Sequence, residues 1–426
     1  LVNGQGDEAW KLQIYGFAEA DFMHDSTQSF GDGLNSNVVA RPGTLAAKNG
    51  RTQFTVRNSR LGFEIKAPAT DGIKASGKLE MDFFGYDPSP ANPTMSEAGF
   101  FQNSTFRIRH AYVKLESDYV DLLAGQMYHL FAWQNSFFIC TAAFLGVPNE
   151  VFGRTPQFRL SHTFKTDDVN FELAAGAFRP VQRDSEYPDG EAGMRIMFNK
   201  WKGISTPGSG GTAASPAAIG VSGLTRQFKV VELSHTPAAY NKVPGWAVVA
   251  QAFLPIIPVK NSDDRANAFT LIGEFTVGTG YADQFTGLTG GAAFPATLPI
   301  PAGSPAGTVA QTFTANVDNG LVAYDPSGVL KTINWRTLVV GAQYYLPPGR
   351  TILAANYTQG NSTNMGTVLP TTTGAIKKSQ YLDGTIFYDT TPSSRLGISY
   401  QYSKQQFVDN NYGHNHRAEA LALYFF

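Results

Sequence analysis

The sequence predicts an all-β protein, a transmembrane antiparallel β-barrel of about sixteen strands. Three observations predict it. A period of two in hydropathy recurs from one end of the chain to the other. Charged residues make up only 16% of the 426, against roughly 25% in an average soluble domain. No apolar run approaches the roughly 18 residues of a membrane-crossing helix; the longest, Phe137–Val147, is interrupted by Thr141.

The strands follow in order. Over 11–23, Leu12, Ile14, Gly16, Ala18, Ala20 and Phe22 share one face, and Lys11, Gln13, Glu19 and Asp21 the other. A second run covers 53–66. In the third, Ile73, Ala75, Gly77, Leu79, Met81 and Phe83 alternate with Lys74, Ser76, Lys78, Glu80 and Asp82. Runs at 105–116, 119–128 and 157–165 come next. Over 169–178, Val169, Phe171, Leu173, Ala175 and Ala177 alternate with Asn170, Glu172, Ala174 and Gly176. Further runs lie at 191–201, 217–230, 244–257, 266–279, 332–346, 350–359, 379–389, 394–406 and 416–426. Alternation of this length marks strands with one apolar and one polar face. Most exceed the 5–6 residues usual in soluble sheets and suit tilted membrane strands.

The connections alternate in length. Short turns carrying Gly, Pro, Asp or Asn fall at 67–72, 116–119, 165–168, 346–350 and 390–394. Long loops fall at about 24–52, 85–104, 129–156, 180–190, 280–331, 359–378 and 405–415. The stretch at 280–331, rich in Gly, Ala, Pro and Thr, reads as mobile. Gly203–Pro216 is long where a short turn is due, which leaves the strand count there open by two. Short turns on one rim and long loops on the other are the pattern of outer-membrane barrels, and the whole of 1–426 forms one such domain. A soluble two-sheet sandwich would need a more heavily charged outer face. Tyr15, Phe22, Phe83, Phe84, Trp201, Trp246, Trp335, Tyr344 and Tyr345 near strand ends are expected in interfacial girdles.

Composition excludes several other classes. The balance of 33 basic against 34 acidic residues argues against a nucleic-acid binder. One cysteine, Cys140, excludes a disulfide framework and a multi-cysteine zinc site; it is expected to be a small buried apolar residue. His414 and His416 lack a third ligand at metal-site spacing. No nucleophile elbow, phosphate loop or dinucleotide fingerprint is present, so neither an enzyme nor a cofactor is expected. No leader segment is visible, and the barrel pattern implies an exported chain whose signal peptide has been removed.

The last strand ends Arg417-Ala-Glu-Ala-Leu-Ala-Leu-Tyr-Phe-Phe426, with Ala418, Ala420, Ala422, Tyr424 and Phe426 on one face. It resembles the terminal assembly signal of bacterial outer-membrane barrels. Asn58-Ser-Arg-Leu-Gly-Phe-Glu64 resembles the second strand of trimeric porins. Phe106-Arg-Ile-Arg-His-Ala-Tyr-Val113 and Leu123-Ala-Gly-Gln126 resemble the strands flanking the second periplasmic turn. Arg154-Thr-Pro-Gln-Phe-Arg-Leu-Ser161 resembles the strand leaving the constriction loop. Together they are similar to DcaP-type porins, strongest over about 53–165 and weakest over 200–331. The resemblance implies a homotrimeric outer-membrane channel for dicarboxylates and other small anions, with bilayer lipid and lipopolysaccharide around it. The family can carry an N-terminal periplasmic extension; none is visible in this sequence.

Alternation assigns the lumen. Leu61, Phe63 and Ile65 face lipid, so Arg60, Gly62 and Glu64 face inward. Arg107, Arg109 and Ala111 are placed inward, since a guanidinium in hydrocarbon costs roughly 2–4 kcal/mol near the midplane. Phe158, Leu160 and Phe164 face lipid, so Gln157, Arg159 and Ser161 face inward. Arg60, Arg107, Arg109 and Arg159 then form a basic ladder on neighbouring strands, as the arginine cluster of the resembled family does. Arginine stays charged and forks onto carboxylates, and an arginine wall selects anions. The competing reading pairs these arginines with Glu64, Glu80, Asp82 or Glu172 to hold the wall. Lys74 and Lys78 extend the basic track, with Arg195 and Arg226 as weaker additions. Glu19, Asp21, Glu274, Asp383 and Glu419 are inward acids on the opposite wall. The loop at about 129–156 is expected to fold inward as the constriction, with Glu150 its only acid against Arg154. His110 and His162 share a lipid-facing parity that suggests a subunit interface. The expected function is passive diffusion of small, preferably anionic solutes. The alternatives are a non-selective porin, a structural or adhesive barrel, or a barrel enzyme.

Overall fold

The computed structural model describes residues 9–33, 38–85, 104–134, 136–142, 146–182, 185–205, 213–234, 236–285, 300, 302–310, 320–371 and 373–426. Among them, sixteen antiparallel strands close into one barrel. These are β1 (Lys11–Asp25), β2 (in two segments, Arg51–Thr55 and Arg60–Lys66), β3 (Lys74–Asp82), β4 (Arg107–Glu116), β5 (Asp121–Tyr128), β6 (Arg154–Lys165), β7 (Val169–Phe178) and β8 (Asp189–Ile204). They continue with β9 (Ala214–Val231), β10 (Tyr240–Ile257), β11 (Phe269–Thr279), β12 (Asn334–Leu346), β13 (Thr351–Ser362), β14 (Ile376–Thr391), β15 (Ser394–Phe407) and β16 (Tyr412–Phe425). Each strand pairs with the next, and β1 pairs with β2 on one edge and β16 on the other, so no sheet edge is left open. None of the described helices is long and apolar enough to cross a membrane.

The seam between β1 and β16 runs from Phe17 opposite Phe425 to Asp25 opposite Arg417. At its upper end the Arg417 guanidinium donates to both Asp25 carboxylate oxygens, at 2.9 and 2.8 Å. At its lower end Gly16 and Phe426 exchange backbone hydrogen bonds of 3.0 and 3.1 Å.

The turn after β2 shows how short connections are encoded. Asp71 and Gly72 both have positive φ, 52° and 78°, between bridged Thr70 and Ile73. This geometry matches the right-handed twist of a hairpin and favours Asp-Gly. The open question at Gly203–Pro216 resolves simply: β8 and β9 pair directly, with a register shift at Pro216/Ala217. The expected long loop at 405–415 shrinks to 408–411, because β15 and β16 continue their ladder almost to the turn.

Outward faces are apolar, as the alternation predicts: Leu12, Phe54, Phe158 and Ile398 are all well exposed on the barrel's outer wall. The inward faces are not uniformly polar. Leu224, Phe228 and Val230 of β9 and Ala247 and Val249 of β10 pack with loop residues Phe131, Val151, Tyr281 and Phe285. Part of the lumen is therefore a dry core. Tyr15, Phe84, Trp335 and Tyr345, expected in girdles, are buried instead, because they point inward. Phe22, Trp201 and Trp246 do face outward. Of the stretch at 280–331, residues 286–299, 301 and 311–319 lie outside the described residues. Its described ends are folded: a small hairpin, Val322–Tyr324 against Leu330–Thr332, packs into the lumenal core.

The arginine wall and the constriction loop

The loop at 129–153 leaves β5, crosses the lumen and returns to β6. Polar ties hold it along its path. His129 Nδ1 lies 2.6 Å from Glu191 Oε1 of β8, and Phe131 N–H donates to Glu191 Oε2 at 2.8 Å. Ala132 N–H donates to Ser222 Oγ of β9 at 2.8 Å. Val151 N–H donates to Glu274 Oε1 of β11 at 3.0 Å. Farther across, Asn149 Nδ2 donates to Thr358 Oγ1 at 2.9 Å, and Asn356 Nδ2 donates to the Cys140 carbonyl at 2.7 Å, both on β13. Trp133, Phe137, Ile139 and Val147 are buried against the wall; burial of such side chains stabilises by about 1.5–3 kcal/mol each. Inward glycines make room for them. A Cβ on Gly341 would lie 2.6 Å from Ile139 Cγ2, and one on Gly220 would lie 3.2 Å from Trp133 and Phe137. These glycines and anchors escaped the sequence reading, although inward glycines facing a Phe-rich loop were a usable signal.

Glu150 does not face the arginines. It is buried, and its carboxyl accepts the Ile139 and Val147 N–H groups of its own loop, at 3.3 and 3.2 Å. Burial and the nearby Glu274 push its pKa well above the ordinary carboxylate value. Its expected place on the solute path is corrected accordingly: it ties the loop together. Cys140 is buried too, and burial pushes its thiol up to about 12.

Opposite the loop stand the predicted bases, in three situations. Arg109 is fully buried; it donates to Glu80 at 2.8 Å, Asp82 at 3.0 Å and the Tyr128 hydroxyl at 2.9 Å. Arg107 forks onto Asp82 at 3.0 and 2.7 Å. Arg60 faces inward, cross-strand from Asp82, with its guanidinium over the Phe17 ring at 5.0 Å. Arg154, Arg159 and Lys78 form no ion pair with a carboxylate among the described residues. Arg154 stacks on Tyr128 and Phe152, 5.4 Å from each ring centroid. Arg159 donates to Met127 Sδ at 3.4 Å. Lys78 lies over the Tyr15 ring at 4.7 Å. Lys74 stands apart, exposed on the short-turn rim opposite Glu116. Arg195 pairs with Glu172 at 2.5 Å, and Arg226 with Asp189 at 2.6 Å. Of the inward acids, Glu19, Asp21, Glu274, Asp383 and Glu419 are all buried within the barrel.

One local irregularity displaced two assignments. The β3–β4 register shifts at Glu80/Met81, so Glu80 pairs with His110 and Met81 with Ile108, leaving Arg109 as the extra residue. Such a bulge reverses the alternation beyond it. His110 therefore turns inward, with Nε2 3.7 Å from Glu80 and its ring against Tyr128 at 4.8 Å. Ala111 turns outward, in register with exposed Leu79. The Gln126 amide donates to the Ile108 carbonyl at 2.9 Å beside the bulge. His162 does lie on the outer face, its ring against Phe164 at 4.5 Å.

The comparisons with known proteins follow this geometry. The crystal structure of the outer-membrane channel DcaP of Acinetobacter baumannii superposes with a TM-score of 0.68 at 15% identity, covering 100% of both chains. An anion-selective porin from Comamonas acidovorans gives 0.53 at 11% identity, over 98% of this chain and 100% of that one. OmpT of Vibrio cholerae, solved in a trimer form, gives 0.53 at 10% identity, over 98% and 99%. Among curated proteins, none matches. The family model of the Gram-negative porins matches residues 3–417. A closed sixteen-strand barrel, a loop folded into its lumen and that match over nearly the whole sequence lead to one conclusion: this chain belongs to the Gram-negative porins, channels of the bacterial outer membrane.

Proposed function

We propose that the channel passes small anionic solutes, dicarboxylates among them, in preference to cations, by passive diffusion. One observation carries this reading: among the described residues Arg154, Arg159 and Lys78 of the β3–β6 wall form no carboxylate ion pair, Lys78 standing cross-strand from Glu64, while the only acid of the facing loop, Glu150, is turned into its own backbone. Uncompensated bases in a narrow, low-dielectric passage raise local anion occupancy. Arg107 and Arg109 add less, because Asp82 and Glu80 cancel much of their charge. Aromatic stacking holds Arg154 in place without neutralising it. The anion-selective porin named above, similar in fold, is consistent with this reading. Binding stays weak, so that solutes leave as readily as they enter.

Assembly as a homotrimer belongs to the same proposal. OmpT of V. cholerae adopts a trimer form. On this chain, outward Ala20 of β1 lies opposite Ala422 of β16, and Ala18, Ala418 and Ala420 extend a strip of small residues between Phe22 and Tyr424, a notch that a second barrel can fill.

The test is the zero-current potential across a planar bilayer in a tenfold potassium chloride gradient. Anion preference is expected, and Arg154→Gln with Arg159→Gln moves the potential toward zero. A clear cation preference overturns the proposal. A potential near zero in the unaltered protein favours a general diffusion porin.

A further inference from the structure

Away from the arginine wall, a cavity of about 200 Å³ lies between the constriction loop and the short-turn ends of β8–β10. We propose that it is a binding subsite for small carboxylates that carry an apolar or aromatic body. The proposal rests on the anion-channel reading above and names a solute class for it.

The cavity has two chemically distinct parts. One is Arg195, held rigidly: its Nη2 donates to Glu172 at 2.5 Å, its Nη1 to Ser136, and its guanidinium lies 5.1 Å from the Trp133 ring. Its Nε is buried and has no hydrogen-bond partner among the described residues. Ser136 adds a hydroxyl beside Arg195, while Ser205 and Ser215 line the short-turn end, beyond Met197 and Ala218. The other part is formed by Phe138, Met197, Ala218 and Phe253.

This division selects among anions. A carboxylate set against Ser136 and Arg195, whose charge Glu172 offsets in part, is solvated by fixed donors. The rest of the molecule then meets two phenyl rings and a thioether, which favour an aromatic ring or branched hydrocarbon. A linear dicarboxylate would press its second charge against Phe253 and Met197, short of the rim serines, and that desolvation is costly. Succinate therefore passes along the arginine wall without lodging here, whereas benzoate lodges.

The experiment is single-channel recording in planar bilayers, with millimolar benzoate or succinate added on the short-turn side. Benzoate is expected to interrupt the current, with dwell times about tenfold those of succinate, equivalent to about 1.4 kcal/mol. Ser215→Phe fills the cavity from its rim and is expected to abolish the benzoate interruptions. Met197→Gln, close in volume, polarises the apolar part and is expected to shorten them. Equal interruptions by benzoate and succinate overturn the subsite, as do benzoate interruptions that persist in Ser215→Phe or keep their full dwell time in Met197→Gln. The zero-current potential separates the two proposals. Cation preference in the unaltered channel overturns the anion reading alone, while Ser215-sensitive benzoate interruptions still establish the subsite.

Discussion

Arg109 and Arg159 are both inward arginines on neighbouring parts of one wall, and what stands beside each gives them different roles. Arg109 is enclosed by Glu80, Asp82 and Tyr128. Arg159 meets only a thioether among the described residues. Removing one member of a buried ion pair costs about 3–5 kcal/mol, because its partners stay buried and charged. Arg109→Gln is therefore expected to lower the resistance of the barrel to denaturant by that order. Arg159→Gln is expected to lose well under half as much while shifting the zero-current potential. Similar losses of stability in both variants would contradict the distinction. Alternation was enough to turn these side chains inward. It carries no information about where a bulge falls, and the one at Arg109 moves Glu80 from opposite Arg109 to opposite His110. His110 was misplaced for the same reason: one extra residue in a strand leaves no mark on composition.

At the scale of the element, the constriction loop is tied together by the buried Glu150 carboxyl. The raised pKa of Glu150 means that its protonated form is favoured in the folded loop. Its stabilising contribution is present in full below the ordinary value of 4.5. It is lost as pH rises from there through the folded value. Glu274, from β11, and Asp383, from β14, are acids near it that steepen the effect. Protection of the Ile139 and Val147 amides against hydrogen exchange, corrected for intrinsic rates, is expected to fall as pH rises above 4.5. Glu150→Gln is expected to flatten that dependence, and unchanged pH dependence in the variant would remove Glu150 from the role. The existence and position of this loop were legible from its length and its phenylalanines. Its route was not, because its anchors, Glu191, Ser222, Glu274 and Asn356, come from four distant strands whose inward faces meet only after closure.

For the whole molecule, the near-equal numbers of acids and bases leave charge arrangement as the deciding quantity. The architecture was legible because the bilayer imposes one rule, apolar outward, on every strand at once. The lumen obeys no such rule, which is why Trp335 and Tyr345 turned out to be interior. The outer wall does not face lipid alone if the proposed trimer forms. Ala420→Trp places a large side chain in the strip of small residues on β1 and β16 and is expected to shift trimers toward monomers in detergent, measured by sedimentation. A trimer unaffected by it would place the subunit contact on another face. The residues that join those same two strands, Asp25 and Arg417, are 392 positions apart in the chain. No local segment brings them together, so their meeting carries one of the larger loop-closure entropies in the molecule and belongs to the late, slow part of folding. In kinetic terms the ion pair acts as a clasp: it does little to guide the sheet as it grows, and its effect is to slow the reopening of a barrel already closed.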